Sequence, residues 1–116
     1  MYLNMGVMLQ GFNWVSHRGG SHYANLSGQL KNFKRVGIDK LWLPPSSRSR
    51  DPEGYYPLEY YDLNTEYGTE DELRQLVASA RDDGVGAVGE LVCWYDFCGY
   101  KRQNYCFSGR ERKIDS

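Results

Sequence analysis

Two hydrophobic rhythms alternate along the chain. Residues 6–12, GVMLQGF, form a short apolar run ended by Gly11, Phe12 and Asn13, which predicts a buried strand. A Gly- and Ser-rich loop over 13–21 follows. Tyr23, Leu26, Leu30 and Phe33 then recur at helical spacing, and Gly37 stands where a C-terminal cap glycine belongs, so the pattern predicts an amphipathic helix over 22–36. Residues 39–43, DKLWL, predict a second strand, stopped by Pro44 and Pro45 because proline cannot donate to a sheet ladder. Residues 46–68 are polar, lack clear periodicity and hold four tyrosines between positions 55 and 61. A loop of that length in a compact domain is usually functional or disordered, and the tyrosines argue against simple disorder. Thr69-Glu70-Asp71-Glu72 is a capping box that opens a helix over 70–83, with acidic residues at the positive end of the helix dipole. Leu73, Leu76, Val77 and Ala80 share one face of that helix, and Gly84 ends it. Residues 85–93, VGAVGELVC, are apolar almost throughout, as in parallel strands covered on both faces. The order strand, helix, strand, helix, strand predicts an α/β architecture with a parallel sheet. Residues 94–116 read as irregular and polar.

Composition narrows the function classes. The chain has 116 residues, one domain or part of one, with 41% hydrophobic and 25% charged residues, ordinary for a soluble globular protein. A net charge of -1 gives no electrostatic grip on nucleic acid or an anionic membrane. Lys101, Arg102, Arg110, Arg112 and Lys113 cluster in the tail and read as a solvated terminus. No segment approaches the roughly 18 apolar residues that span a bilayer. The start, MYLNMGVMLQ, has neither the basic nor the long apolar region of a secretory signal. Cys93, Cys98 and Cys106 cannot all pair within one chain, so a cytoplasmic location with reduced thiols is expected. Aromatic residues reach 15%, a content that suits either core packing or stacking on sugar rings.

Some motifs are set aside. Gly84-Val85-Gly86-Ala87-Val88-Gly89 matches GxGxxG, but here a helix precedes and a strand follows, the reverse of a dinucleotide site. The three cysteines with His17 and His22 lack the tight spacing of a zinc site, and they read as ordinary thiols and surface histidines. The sequon Asn25-Leu26-Ser27 falls in a predicted helix and is discounted. No Walker loop, GxSxG elbow or HExxH appears.

Three stretches carry a family likeness: Gln10-Gly11-Phe12-Asn13-Trp14, then Leu41-Trp42-Leu43-Pro44-Pro45, then Gly54-Tyr55-Tyr56-Pro57 with Tyr61-Asp62-Leu63 and Tyr67-Gly68-Thr69. In this order and spacing they resemble the opening of the α-amylase family of glycoside hydrolases, closest to its plant-type members. The resemblance implies a partial TIM-type (β/α)8 barrel over residues 1–93. It also implies that 94–116 begin the domain inserted after the third strand, the other reading of that segment being a disordered tail. The substrate class implied is α-1,4-glucan, as starch, glycogen or maltooligosaccharide. In the family the tyrosine of GYxP stacks under the sugar beside the cut bond, a role that falls on Tyr55. Loops at the strand C-termini build the active face of such barrels, and residues 46–68 occupy that slot.

The sequence also departs from the family. The family's third strand ends in a motif of the form DVVINH, where this chain has Glu90-Leu91-Val92-Cys93-Trp94-Tyr95. Trp94 stands where the family's asparagine ligates calcium. An indole offers only an N–H donor, so no cofactor or metal is expected. Tyr95 replaces a substrate-binding histidine, and Trp94 and Tyr95 are candidate sugar-stacking surface. Glycoside hydrolysis needs a pair of carboxylates flanking the bond, which the family carries on strands after the third. No residue here matches a catalytic position, and Asp51, Glu53, Asp62 and Asp96 read as solvated loop charges. The leading expectation is thus a barrel fragment inactive by itself, with open sheet edges that favour self-association. A non-catalytic α-glucan-binding or interaction module is the second reading, and a small unrelated α/β domain the third.

Overall fold

The structure, a computed structural model, describes residues 6–93. In chain order the elements are β1 (Val7–Gln10), a 3-10 turn (Ser16–Arg18), α1 (His22–Ser27), α2 (Leu30–Arg35), β2 (Ile38–Trp42), β3 (Arg48–Ser49), β4 (Pro57–Glu59), α3 (Glu70–Asp82) and β5 (Gly86–Val88). β1, β2 and β5 make a three-stranded sheet in that order, parallel throughout, with Leu9 opposite Leu41 and Leu41 opposite Ala87. The predicted strand-helix alternation and parallel sheet are therefore present. Among the described residues no helix is long and apolar enough to cross a membrane.

The helix predicted over 22–36 is two short ones. At the break the Gln29 amide bonds to the Leu26 carbonyl three residues back (2.9 Å), a 3-10 tightening beside Gly28. Glycine is the weakest helix former after proline, so the ladder changes pitch there at little cost. The apolar face survives the break, since Tyr23, Leu26 and Leu30 are all buried and Phe33 packs against them. The loop predicted over 46–68 contains β3 and β4, an antiparallel ribbon pairing Arg48 with Glu59 and Ser49 with Pro57. Strands of two and three residues are too short to show an alternation in sequence.

The core lies on one side of the sheet. Leu41 and Leu43 project from β2 and its continuation onto Tyr23, Leu26, Leu30, Leu76, Ala80 and Val85. Side chains alternate across a strand, so Trp42 and Lys40 face the other way, alongside Met8, which is 52% exposed. The apolar run at 85–93 thus does not have both faces covered as predicted. Its strand is only Gly86–Val88, at the sheet edge, with Gly86 and Ala87 exposed.

Both predicted ends of α3 form. The Thr69 hydroxyl accepts from the Glu72 amide (3.1 Å) and Glu72 Oε1 accepts from the Thr69 amide (2.9 Å). At the other end Gly84 adopts φ +78°, its amide bonds to the Arg81 carbonyl (3.1 Å), and the Val85 amide bonds to the Ala80 carbonyl (2.8 Å). That is a Schellman closure, with its apolar contact supplied by the buried Ala80 and Val85. Thr69→Ala should lower stability by about 1 kcal/mol. Gly84→Ala, which places a Cβ in the left-handed region, should lower it by about 1–2 kcal/mol. Each is read as a drop in the urea midpoint at unchanged slope.

Candidate functional site

Parallel strands deliver their following loops to one end of the sheet. After β1 the Gly11 amide bonds to the Trp42 carbonyl (2.8 Å), and a Cβ on Gly11 would lie 2.8 Å from Leu41 Cδ1, so a side chain here would push the buried Leu41 aside. Phe12 then meets the Trp42 ring edge-on at 5.5 Å. Asn13 closes a side-chain turn by accepting the Val15 amide at Oδ1 (2.9 Å), while its own amide bonds to Ser16 Oγ (2.8 Å). Trp14 sits on this turn and is 64% exposed. After β5, Glu90 Oε1 accepts from Trp42 Nε1 (3.1 Å).

Tyr55 reaches the same place from the long loop. Asp51 Oδ2 accepts the Tyr55 amide (3.1 Å), and Gly54, at φ +103°, takes the chain past Pro45, whose Cβ would stand 2.9 Å from an added Cβ. The Tyr55 and Trp14 rings stack at 6.3 Å with 8° between their planes. Beside them is a cleft of about 120 Å³ lined by Gln10, Phe12, Asn13, Trp14, Glu53, Tyr55 and Tyr67.

Tyr67 is the buried floor of the cleft, 1% exposed, and its hydroxyl donates to the Glu53 carbonyl (2.8 Å). His17 meets its ring edge-on at 6.4 Å, and His22 tilts over it at 5.9 Å. His22 Nε2 lies 2.6 Å from the Gly11 carbonyl, so that nitrogen carries the proton. His17 Nε2 is 3.3 Å from Glu53 Oε2, close enough for charge attraction yet not aligned as a hydrogen bond. Burial raises the pKa of the Tyr55 phenol, helped by the charge of Glu90 and a hydrogen bond to it. Burial likewise pushes the Tyr67 phenol well up, with Tyr55 and Glu53 adding to it. Both phenols are therefore neutral donors at physiological pH.

Of the residues singled out in the sequence, Tyr55 lies in the cleft, while Trp94, Tyr95, Asp96, Cys98 and Cys106 fall outside the described residues. Two expectations are corrected. Asp51 and Glu53 are not solvated loop charges: Asp51 is tied to backbone amides, and the Glu53 side chain is only 14% exposed against His17. Nor are His17 and His22 exposed surface groups, because both rings pack against Tyr67 and Glu53, from the loop between β3 and β4, meets His17. Asp62 is closer to expectation, 32% exposed in its side chain and 4.0 Å from Arg48. Sequence reasoning missed Trp14 and Tyr67 as site residues. Both stand inside the quoted motifs, but nothing in their local pattern says that one is presented and the other buried. Among the described residues no group of three or more His, Cys, Asp or Glu side chains could hold a metal ion.

Comparison with known proteins agrees with this geometry. Residues 16–111 match the family model described as alpha amylase, catalytic domain. The chain is 38% identical over 98 residues to chloroplastic alpha-amylase 3 of Arabidopsis thaliana, covering 84% of this chain and 11% of that protein. It is 38% identical over 86 residues to probable alpha-amylase 2 of the same plant, covering 74% and 21%. It thus spans a small part of the length of these relatives. Among solved structures it resembles an alternansucrase in complex with isomaltotriose, with a TM-score of 0.65 and 22% identity over 73% of this chain and 10% of that one, a likeness that shows the fold alone. The β-α-β-α-β unit is a partial TIM-type (β/α)8 barrel, and the chain belongs to the α-amylase catalytic-domain family.

Proposed function

We propose that this chain supplies the α-glucan-binding part of an α-amylase-type active face, with Tyr55 and Trp14 as the sugar platform. The observation that carries the reading is the near-parallel stack of these rings at the rim of the cleft, at the strand ends where such barrels work. The faces of stacked aromatic rings match the C–H faces of pyranose rings. The neutral phenol of Tyr55 and the carboxylates of Glu53 and Glu90 offer hydrogen bonds to sugar hydroxyls. Trp94 and Tyr95 follow Cys93 directly in sequence and remain candidate sugar-stacking residues in this proposal. The relatives named alpha-amylases support an α-1,4-glucan as the ligand. Cleavage needs two carboxylates that flank the bond, and none of the acidic residues of this chain matches the family's catalytic motif. The 116 residues therefore bind without cleaving.

Calorimetric titration with maltoheptaose should show saturable binding. Tyr55→Ala and Trp14→Ala should each weaken it on the order of tenfold, the scale of truncating an aromatic anchor, whereas Tyr55→Phe keeps the ring and most of the affinity. A parent chain with no heat of binding at saturating sugar would end this reading.

The chain should release no reducing sugar from soluble starch. Release abolished by changing one of its own Asp or Glu side chains would show that it holds a catalytic group after all.

We further propose that the outer edges of β1 and β5, paired with no third strand among the described residues, drive self-association. Sedimentation velocity should show the weight-average mass rising with protein concentration. A mass that stays monomeric throughout excludes it.

A further inference from the structure

The tip of the long loop is folded around one carboxylate. Asp51 Oδ2 accepts the Tyr55 amide (3.1 Å), Oδ1 accepts the Tyr56 amide (2.7 Å), and the Ser49 hydroxyl donates to Oδ1. Ser49 Oγ itself accepts from the Tyr56 amide (2.9 Å). The turn is closed across its base by the Arg50 amide on the Tyr56 carbonyl (2.9 Å), while the Arg50 guanidinium lies 4.4 Å above the Tyr56 ring. Two consecutive amides and a hydroxyl aimed at one group make a site suited to an anion, since every donor gains strength from a full negative charge. An amide side chain cannot replace it, because its –NH2 would face one of the two N–H groups.

Resting on the reading of Tyr55 as a sugar platform, we infer that Asp51 is its positioning residue: the ionised carboxylate holds the 51–56 turn and, through it, the Tyr55 ring against Trp14. Without the charge the Tyr55 and Tyr56 amides lose their carboxylate acceptor, and the ring is held only by the Arg50–Tyr56 closure, the Tyr67–Glu53 contact and the phenol's own hydrogen bond to Glu90. The groups facing Asp51 are the Ser49 hydroxyl from β3 and the Tyr55 and Tyr67 phenols, which both feel its charge. Glu53, two residues on, is turned to His17.

Burial by itself would push the Asp51 carboxyl up. The bonds from Ser49 and from the amides of Tyr55, Tyr56 and Asp51 itself outweigh it and bring the carboxyl below the usual range. A carboxyl lowered on folding contributes fully above its unfolded value of about 3.9 and loses that contribution as pH falls through the folded value. Sugar binding should therefore be complete near neutrality and weaken only in acid.

The test follows amide shifts of the intact chain by NMR from about pH 7 to pH 2, with the Asp51 carboxyl carbon in parallel. The Tyr55 and Tyr56 amide protons should move with the Asp51 carboxyl at one midpoint below the usual carboxylate range. The Gly11 amide, bonded to the Trp42 carbonyl, should stay still. Asp51→Asn should shift the Tyr55 and Tyr56 amides at neutral pH, abolish their acid titration and weaken maltoheptaose binding about tenfold. If acid unfolds the chain and moves Gly11 as well, the neutral-pH spectrum of Asp51→Asn decides. Amides that ignore the Asp51 titration, or an Asp51→Asn variant with parental shifts and affinity, would overturn the assignment. Amides that titrate as expected in a parent chain that binds no sugar would support the clamp and refute the platform reading.

Discussion

The site depends on one buried contact, the Tyr67 hydroxyl donating to the Glu53 carbonyl. A phenol buried in an apolar setting must find an acceptor, and a loop carbonyl covered by protein must find a donor. By meeting each other these groups tie the tip of a long polar loop to the helical layer, because the Tyr67 carbonyl in turn accepts the first amide of buried Tyr23 (3.1 Å). The ring fills the space under the tip, flanked by His17, His22 and Tyr23. Remove that contact and neither Tyr55 nor Glu53 has a defined place relative to the sheet.

The sheet sets the direction. With β1, β2 and β5 parallel, the chain leaves each strand at the same end, so Trp14, the Tyr55 loop and Glu90 converge although they come from widely separated positions. The helical layer on one side supplies the cohesion. The opposite side carries Met8 and Lys40, both exposed, beside Trp42, which only Phe12 and Glu90 partly cover, a one-sided arrangement of strands written for burial on both faces. In a barrel that face is the packed interior, and the exposure of Met8 and the edge position of β5 are what a partial barrel leaves.

At the rim, the two rings and the half-buried acids do different things. Tyr55 and Trp14 present flat apolar faces, and Asp51, Glu53 and Glu90 spend their charge on N–H and O–H donors or on His17. Asp51 and Glu53 so engaged organise the loop, and Glu90 ties the end of β5 to Trp42. This is consistent with the family's catalytic pair lying elsewhere in the barrel.

Local patterns determined what depends on neighbours in the chain. The capping box at Thr69, the glycine stops at Gly37 and Gly84, the helical spacing of Tyr23, Leu26 and Leu30, and the proline stop after β2 are all satisfied within a few residues, and all were legible. The ordered motifs around Phe12, Trp42 and Tyr55 made the family legible too. The break at Gly28 was not, because an apolar face continues across a change of pitch without losing its spacing. Nor were the half-buried states of His17, Asp51 and Glu53, or the stacking of Trp14 on Tyr55. Burial of a charged or aromatic group is fixed by which distant segments fold over it. A carboxylate that bonds to amides four and five residues away reads in sequence like any loop acid. Only the tertiary packing of the long loop onto Tyr67 decided which acids were anchors and which rings faced the cleft.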